Sequence, residues 1–116
     1  MTLPTDSKAR KDIPICTGVL DYFPDALAAV AAVSKAGNDK HNPGEPLHWS
    51  RDKSPDQSDS IARHLMERGE WEIVYDENGQ EINRTRVSAH LAWRALALLQ
   101  IEIEEEEGIP ISRGSK

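Results

Sequence analysis

Apolar positions recur at helical spacing in three stretches of this chain and alternate in a fourth. The first stretch, PDALAAVAAVSKA from Pro24 to about Ala36, sets Leu27, Val30 and Val33 among six alanines and leaves almost no polar face. A helix that is apolar nearly all round is buried on several sides. Pro24 suits its first position, and Gly37 is expected to end it. The second stretch, SPDQSDSIARHLMERG from Ser54 to Gly69, has both helix ends written into it. Ser54 is read as the N-cap, Pro55 as the first helical residue, Gln57 as the partner in an S-x-x-Q capping box, and Gly69 as the left-handed stop. Ile61, Ala62 and Leu65 form its apolar, core-facing stripe, while Asp56, Ser60, His64 and Glu67 line up on another face. That polar face suits a site built on a helix, or else a solvated surface. The third stretch, SAHLAWRALALLQIEIEEEE from Ser88 to about Glu107, places Ala92, Leu96, Leu99 and Ile103 in a 4-3-4 pattern, with Gly108 and Pro110 beyond it. In the alternating stretch, Trp71, Ile73 and Tyr75 are interleaved with Glu72 and Val74 ahead of DENG. The Asn78-Gly79 pair predicts a tight turn, and so a structural β-hairpin over about 71–86.

The predicted fold is therefore mainly α, a small helical domain of three main helices with one β-hairpin. It spans residues 12–108, between a flexible arm at 1–11 and a mobile tail at 109–116. Residues 12–23, DIPICTGVLDYF, are apolar without clear period and read as an ordered loop or short helical turn on the body. Asp21 and Asp25, four apart, share a face if a helix begins near Asp21; otherwise they are ordinary helix-start acids. Lys8, Arg10 and Lys11 read as a solvated basic arm. Glu104–Glu107 oppose the dipole of the last helix, are expected to fray or solvate, and point to different faces, which disfavours a metal site there. The longest predicted loop, GNDKHNPGEPLHWSRDK over 37–53, combines Lys40, His41, Asn42, His48, Trp49, Arg51 and Lys53. Long irregular segments of this kind are usually functional or disordered. Its cations and imidazoles can hold phosphates, and Trp49 can stack a base or plug the core.

Composition changes this picture in three ways. Only 5% of the 116 residues are aromatic, and alanine supplies much of the apolar count. The core is expected to be thin or shared, which points to a homo-oligomer. The net charge of −6 disfavours duplex nucleic acid but leaves room for a small anion at a local basic loop. One cysteine, Cys16, gives no disulfide framework, and no apolar run matches a membrane span or signal peptide, so a cytosolic protein is expected. Hydrolase and phosphate-loop signatures are absent: there is no G-x-S-x-G, no G-x-x-x-x-G-K-[ST] and no G-x-G-x-x-G. The four histidines lack zinc spacing. Magnesium, held by acids on facing helices, is the better metal expectation.

Three segments carry a resemblance: ICTGVLDYFPDALAAVAAVSKAGNDKHNPGEPLHW, IARHLMERG and SAHLAWRALALLQIE. In this order and spacing they cover most of residues 15 to 104. They resemble the small phage family of dATP/dGTP diphosphohydrolase-like proteins, grouped near the MazG nucleotide pyrophosphohydrolases. The resemblance implies an all-helical phage or prophage protein acting in the host cytosol. It implies purine deoxynucleotides as substrates and Mg²⁺, or Mn²⁺, as cofactor, with cleavage between the α- and β-phosphates to release pyrophosphate. MazG-type enzymes hold magnesium with E-x-x-E and E-x-x-D; here only Glu67-x-x-Glu70 matches in spelling, and E-x-x-D is absent. On the enzyme reading, Asp59, His64, Glu67 and His90 are the catalytic candidates, and Asp21, Asp25, Asp59 and His64 the metal ligands. Lys40, His41, Asn42 and Arg51 are expected to hold the phosphates, and Trp49 the base. The alternative is a binder without chemistry, sequestering a host defence nucleotide signal.

Overall fold

The computed structural model describes residues 3–116. In chain order it comprises α1 (Ser7–Lys11), a π-helical turn (Cys16–Leu20), α2 (Pro24–His41), a 3₁₀ turn (Arg51–Lys53), α3 (Gln57–Met66), β1 (Trp71–Tyr75), β2 (Glu81–Arg86) and α4 (Val87–Glu107). The fold is mainly α, but with four α-helices and not three: the arm expected to be loose contains α1, closed by the Asp6 carboxylate accepting from the Ala9 amide at 2.9 Å.

Helix α2 overruns its expected stop. Gly37 costs a helix interior about 1 kcal/mol relative to alanine. Around it the Lys35–Asp39 pair closes at 2.6 Å, and Asn38 is buried and committed to neighbours on both sides. The helix ends one turn later, where the Asn42 amide donates to the Asn38 carbonyl at 2.8 Å. Thus Lys40 and His41 stand on a helix, not in a loop.

Helix α3 starts later than its sequence signals suggest. Asp56, not Ser54, is the N-cap, and the capping box does not form; the Gln57 amide donates back to the Ser54 carbonyl instead. The inward face also differs. Gln57 and Ser60 are buried and Ile61 and His64 half-buried, whereas Ala62, Leu65 and Met66 are exposed. Ser60 is small enough to sit where α3 meets α4, so the docked face is largely polar.

The hairpin matches its expected span. Trp71 pairs with Arg86 and Val74 with Asn83, with a bulge between Val74 and Tyr75. Asp76 accepts from the Asn78 and Gln80 amides, and Gly79 takes a φ of 77°. Strand β2 runs straight into α4, and the Val87 amide donates to the Glu70 carbonyl at 3.0 Å. Gly108, at φ 65°, ends α4 as expected.

Helix α4 is the spine, packed on α2 and α3 together. The tail expected to be mobile is bonded across it to the 42–56 loop. The Trp49 amide donates to Gly114, Lys116 to Trp49, and Arg51 to Lys116, at 2.7, 2.9 and 3.1 Å. Buried apolar residues number only four among the described residues: Val33, Val87, Ala89 and Ala97. The radius of gyration is 16.2 Å, against about 13 Å for a compact domain of this length. No single helix is long and apolar enough to cross a membrane.

Candidate functional site

A crevice of about 280 Å³ opens where α2, α3, α4, β1 and the 42–56 loop meet. All four histidines of the chain, His41, His48, His64 and His90, line it. Lys40, Lys53, Arg63 and Arg94 join them, and Glu72 is the single carboxylate in the lining. A chain with net charge −6 has therefore gathered cations and imidazoles in one place.

The centre of the crevice is a histidine pair. The rings of His64 and His90 lie 5.5 Å apart. Burial pushes both imidazoles below the ordinary histidine value. The positive charge of Arg94, helped by Arg63, adds to this for His64. For His90, Glu72 opposes the burial effect while His64 and Arg94 reinforce it. Both rings are thus biased toward the neutral form. His90 Nε2 lies 2.8 Å from Thr85 Oγ1 and 3.2 Å from Glu72 Oε2. With Nε2–H donating to these oxygens, its lone pair sits on Nδ1.

The cations differ in how far they are committed. Arg63 and Arg94 share the exposed Asp56 carboxylate, at 2.8 and 3.6 Å, and Arg94 also donates to Gln57 at 3.2 Å. Lys40 makes no hydrogen bond or ion pair among the described residues. Lys53 donates to the His41 carbonyl and Asn42 Oδ1 at 2.7 and 2.9 Å.

The loop is held by asparagines. Asn38 Oδ1 accepts from Asn42 Nδ2 and the His48 amide, and Asn38 Nδ2 donates to the Glu45 carbonyl. Asn42 Oδ1 accepts from Ser50 and Lys53. The crevice also has an aromatic wall. Trp49 and Trp93 meet edge to face at 5.6 Å, and Trp93 Nε1 donates to Ser34 Oγ at 2.9 Å.

Against the sequence expectations, the structure gathers Lys40, His41, Trp49, His64 and His90, and leaves others out. Asn42 lines the crevice, but its side chain is consumed by the loop network, so it is a brace and not a phosphate ligand. Arg51 is absent from the lining, because its guanidinium forms a two-pronged pair with Glu104 at 2.9 and 2.8 Å. Glu104 itself, expected to fray, is buried, and the Arg51 hydrogen bonds hold its carboxyl at about 2. Asp59 and Glu67 are exposed and outside the lining. Asp21, which closes the π-helical turn, and Asp25, in the first turn of α2, are both exposed. Asp25 is eight residues, roughly 12 Å of helix, before Val33, the first residue of α2 to line the crevice.

Sequence reasoning missed Arg63, Arg94, Glu72 and Thr85. For the two arginines a signal existed. Arg63 adjoins His64, and Arg94 falls four residues after His90, one turn along the same helix face. Glu72 and Thr85 had none, because a strand of a structural hairpin gives no hint of which neighbour it reaches.

The donor set does not fit a magnesium cage built by this chain. Magnesium takes oxygen ligands in near-octahedral array. The crevice offers one carboxylate among eight basic or imidazole groups, and no three His, Cys, Asp or Glu side chains among the described residues cluster for a metal ion.

No curated protein and no solved structure matches the chain. A family model described as dATP/dGTP diphosphohydrolase, N-terminal, matches residues 5–109 and so takes in α1, the hairpin and every residue lining the crevice, which places this chain in the dATP/dGTP diphosphohydrolase family.

Proposed function

We propose that the crevice binds the phosphates of a purine deoxynucleoside triphosphate, dATP or dGTP, and that the chain is a nucleotide diphosphohydrolase releasing the monophosphate and pyrophosphate. One observation carries the reading: all four histidines and four cations of an acidic chain converge on one cavity. Charge-assisted hydrogen bonds to phosphate are roughly twice as strong as neutral ones. Lys40 and the uncommitted N–H groups of Arg94 are the natural donors. The Trp49–Trp93 wall offers a flat apolar surface to the base.

For hydrolysis, His90 takes the proton of an attacking water on Nδ1, and Thr85 and Glu72 fix its tautomer through Nε2. The water oxygen bonds to the α-phosphorus, and the bond to the bridging oxygen breaks. Pyrophosphate then leaves with its charge drawn toward the cations. Glu72, the single carboxylate of the lining, is the one acidic side chain that would meet a magnesium ion carried in by the substrate phosphates.

The same single carboxylate favours a second reading, a nucleotide binder without turnover. Incubation of the full chain with dGTP or dATP, with and without Mg²⁺, separates the two. Release of monophosphate and pyrophosphate, lost in His90→Gln with binding kept, supports the enzyme. Tight calorimetric binding without product supports the binder. Absence of any heat or melting shift with either nucleotide removes both.

A further inference from the structure

The N-terminal arm and a groove between α2 and α4 are two of the exposed apolar surfaces among the described residues. The first is the arm of residues 7–23. It is ordered: the Gly18 amide donates to Pro14, Asp21 to Cys16 and Phe23 to Val19, at 2.7, 2.8 and 3.0 Å. Yet neither α1 nor the π-helical turn buries a residue, and Ile13, Ile15, Val19, Leu20, Tyr22 and Phe23 are 42–71% exposed. The turns of residues 7–20 meet α2 at 86°, so the arm stands off the helix and does not fold along it.

The second surface is a groove of about 530 Å³ between α2 and α4, closed at one end by the tail. Its apolar walls include Leu47, Leu96 and Leu99, which are 51–60% exposed. Its floor includes Trp49 and Trp93, the pair that also walls the crevice.

Charge separates the two ends in a complementary way. Lys8, Arg10 and Lys11 lie on α1, at the start of the arm; Glu102, Glu105, Glu106 and Glu107 end the groove's helix. All are exposed, and none makes an ion pair among the described residues. Six large apolar side chains on the arm and three on the groove, all 42–71% exposed, are available on every copy toward the about 800 Å² that one partner contributes to a standard interface.

We propose that this chain forms a reciprocal dimer in which the arm of one copy lies in the α2–α4 groove of the other, with basic α1 against the glutamates ending the second copy's α4. Exchange in both directions fills both surfaces on both copies and closes under a two-fold axis; one-way docking leaves an arm and a groove open to propagate. A basic, apolar arm also suits an anionic membrane, but a membrane leaves the groove and its glutamates unmatched. Docking covers the back of the Trp49–Trp93 pair and so reaches the crevice wall.

Sedimentation equilibrium of the full chain over a concentration series tests this. The expected result is a dimer weakened at least tenfold by Leu20→Asp and by the pair Lys8→Glu and Lys11→Glu. Adding Glu105→Lys and Glu106→Lys to the charge-reversed chain should restore it. The substituted arm residues are exposed, so circular dichroism should show unchanged helicity. Cys16, exposed on the arm and the chain's only cysteine, reports the geometry. Under a mild copper oxidant, Leu99→Cys should cross-link to Cys16 of the second copy, and Met66→Cys on α3 should not. A chain monomeric at every concentration overturns the proposal, as does a dimer indifferent to the arm variants. Arm-dependent binding to phosphatidylserine vesicles in place of dimerisation overturns it too.

Discussion

Arg51 and Arg94 each lie against one member of the same tryptophan pair, 3.6 Å from the Trp49 centroid and 5.7 Å from that of Trp93. Their remaining partners make them different residues. Arg51 has four of its five N–H donors engaged: two bonds to buried Glu104, with Ser112 and Ser115 taking others at 3.3 and 2.8 Å. Arg94 has Gln57 and a share of an exposed Asp56, and it faces the crevice. A guanidinium whose donors are spent on a buried carboxylate fastens two segments together. One left short of acceptors in a cavity is available to an anion. The difference lies wholly in what each arginine meets, since either side chain could serve either end.

The sharpest way to break the contrast is Glu104→Gln. Removing one partner of a buried pair costs about 3–5 kcal/mol, and here it also frees the 42–56 loop and the tail. Denaturant unfolding should show a loss near the lower end of that range. The pH dependence has a definite sign. The Glu104 carboxyl is lowered to about 2 in the folded chain from 4.5, so its contribution is complete above about 4.5 and is lost as pH falls toward 2. In Glu104→Gln that part of the acid transition should flatten; an unchanged acid limb would mean the pair does not hold the loop.

Arg94→Met should do the converse. Hydrogen bonds to charged groups are worth about 1.5–3 kcal/mol, so dGTP affinity should fall about 10- to 100-fold by calorimetry with little change in melting temperature. A large loss of stability with unchanged affinity would make Arg94 a second Arg51.

The histidine pair gives a smaller effect. Both imidazoles are lowered, so the unfolded chain binds protons more readily than the folded one just below about 6.5. Their contribution is present above that pH and is lost as pH falls. His64→Gln should reduce the slope of stability against pH just below about 6.5. The smallest effect belongs to Asp59→Asn, which is exposed and outside the lining; stability and affinity should stay within about 0.5 kcal/mol. A strong loss of nucleotide binding there would restore Asp59 to the site.

Much of the framework was legible because it rests on local rules. Pro24, the Asn78-Gly79 turn and Gly108 mark boundaries through backbone preference alone, and the structure keeps all three. The 3.6 and 2.0 periods of the apolar residues placed α2, α4 and the hairpin. The concentration of cations and imidazoles near 40–53 marked one wall of the crevice before any fold was known.

What stayed illegible depends on partners far away in sequence. The inward face of α3 is Gln57, Ser60, Ile61 and His64, and not the Ile61–Ala62–Leu65 stripe, because the surface it docks on carries Arg94 and His90. Gly37 fails to stop α2, because Asn38 and Asn42 are bonded to the following loop.

By itself, then, the amino-acid order determined most of the helical and extended segments, where most of them turn, that the core is thin or shared, and which residue types could meet a phosphate. Tertiary structure alone decided that Glu104 takes Arg51 while Arg94 stays short of acceptors, and that a hairpin lends Glu72 and Thr85 to His90. The physical reason is range. Backbone preference and periodicity act over one or two turns, whereas the commitment of a charge is fixed by the nearest opposite charge in space, which for Arg51 is 53 residues away.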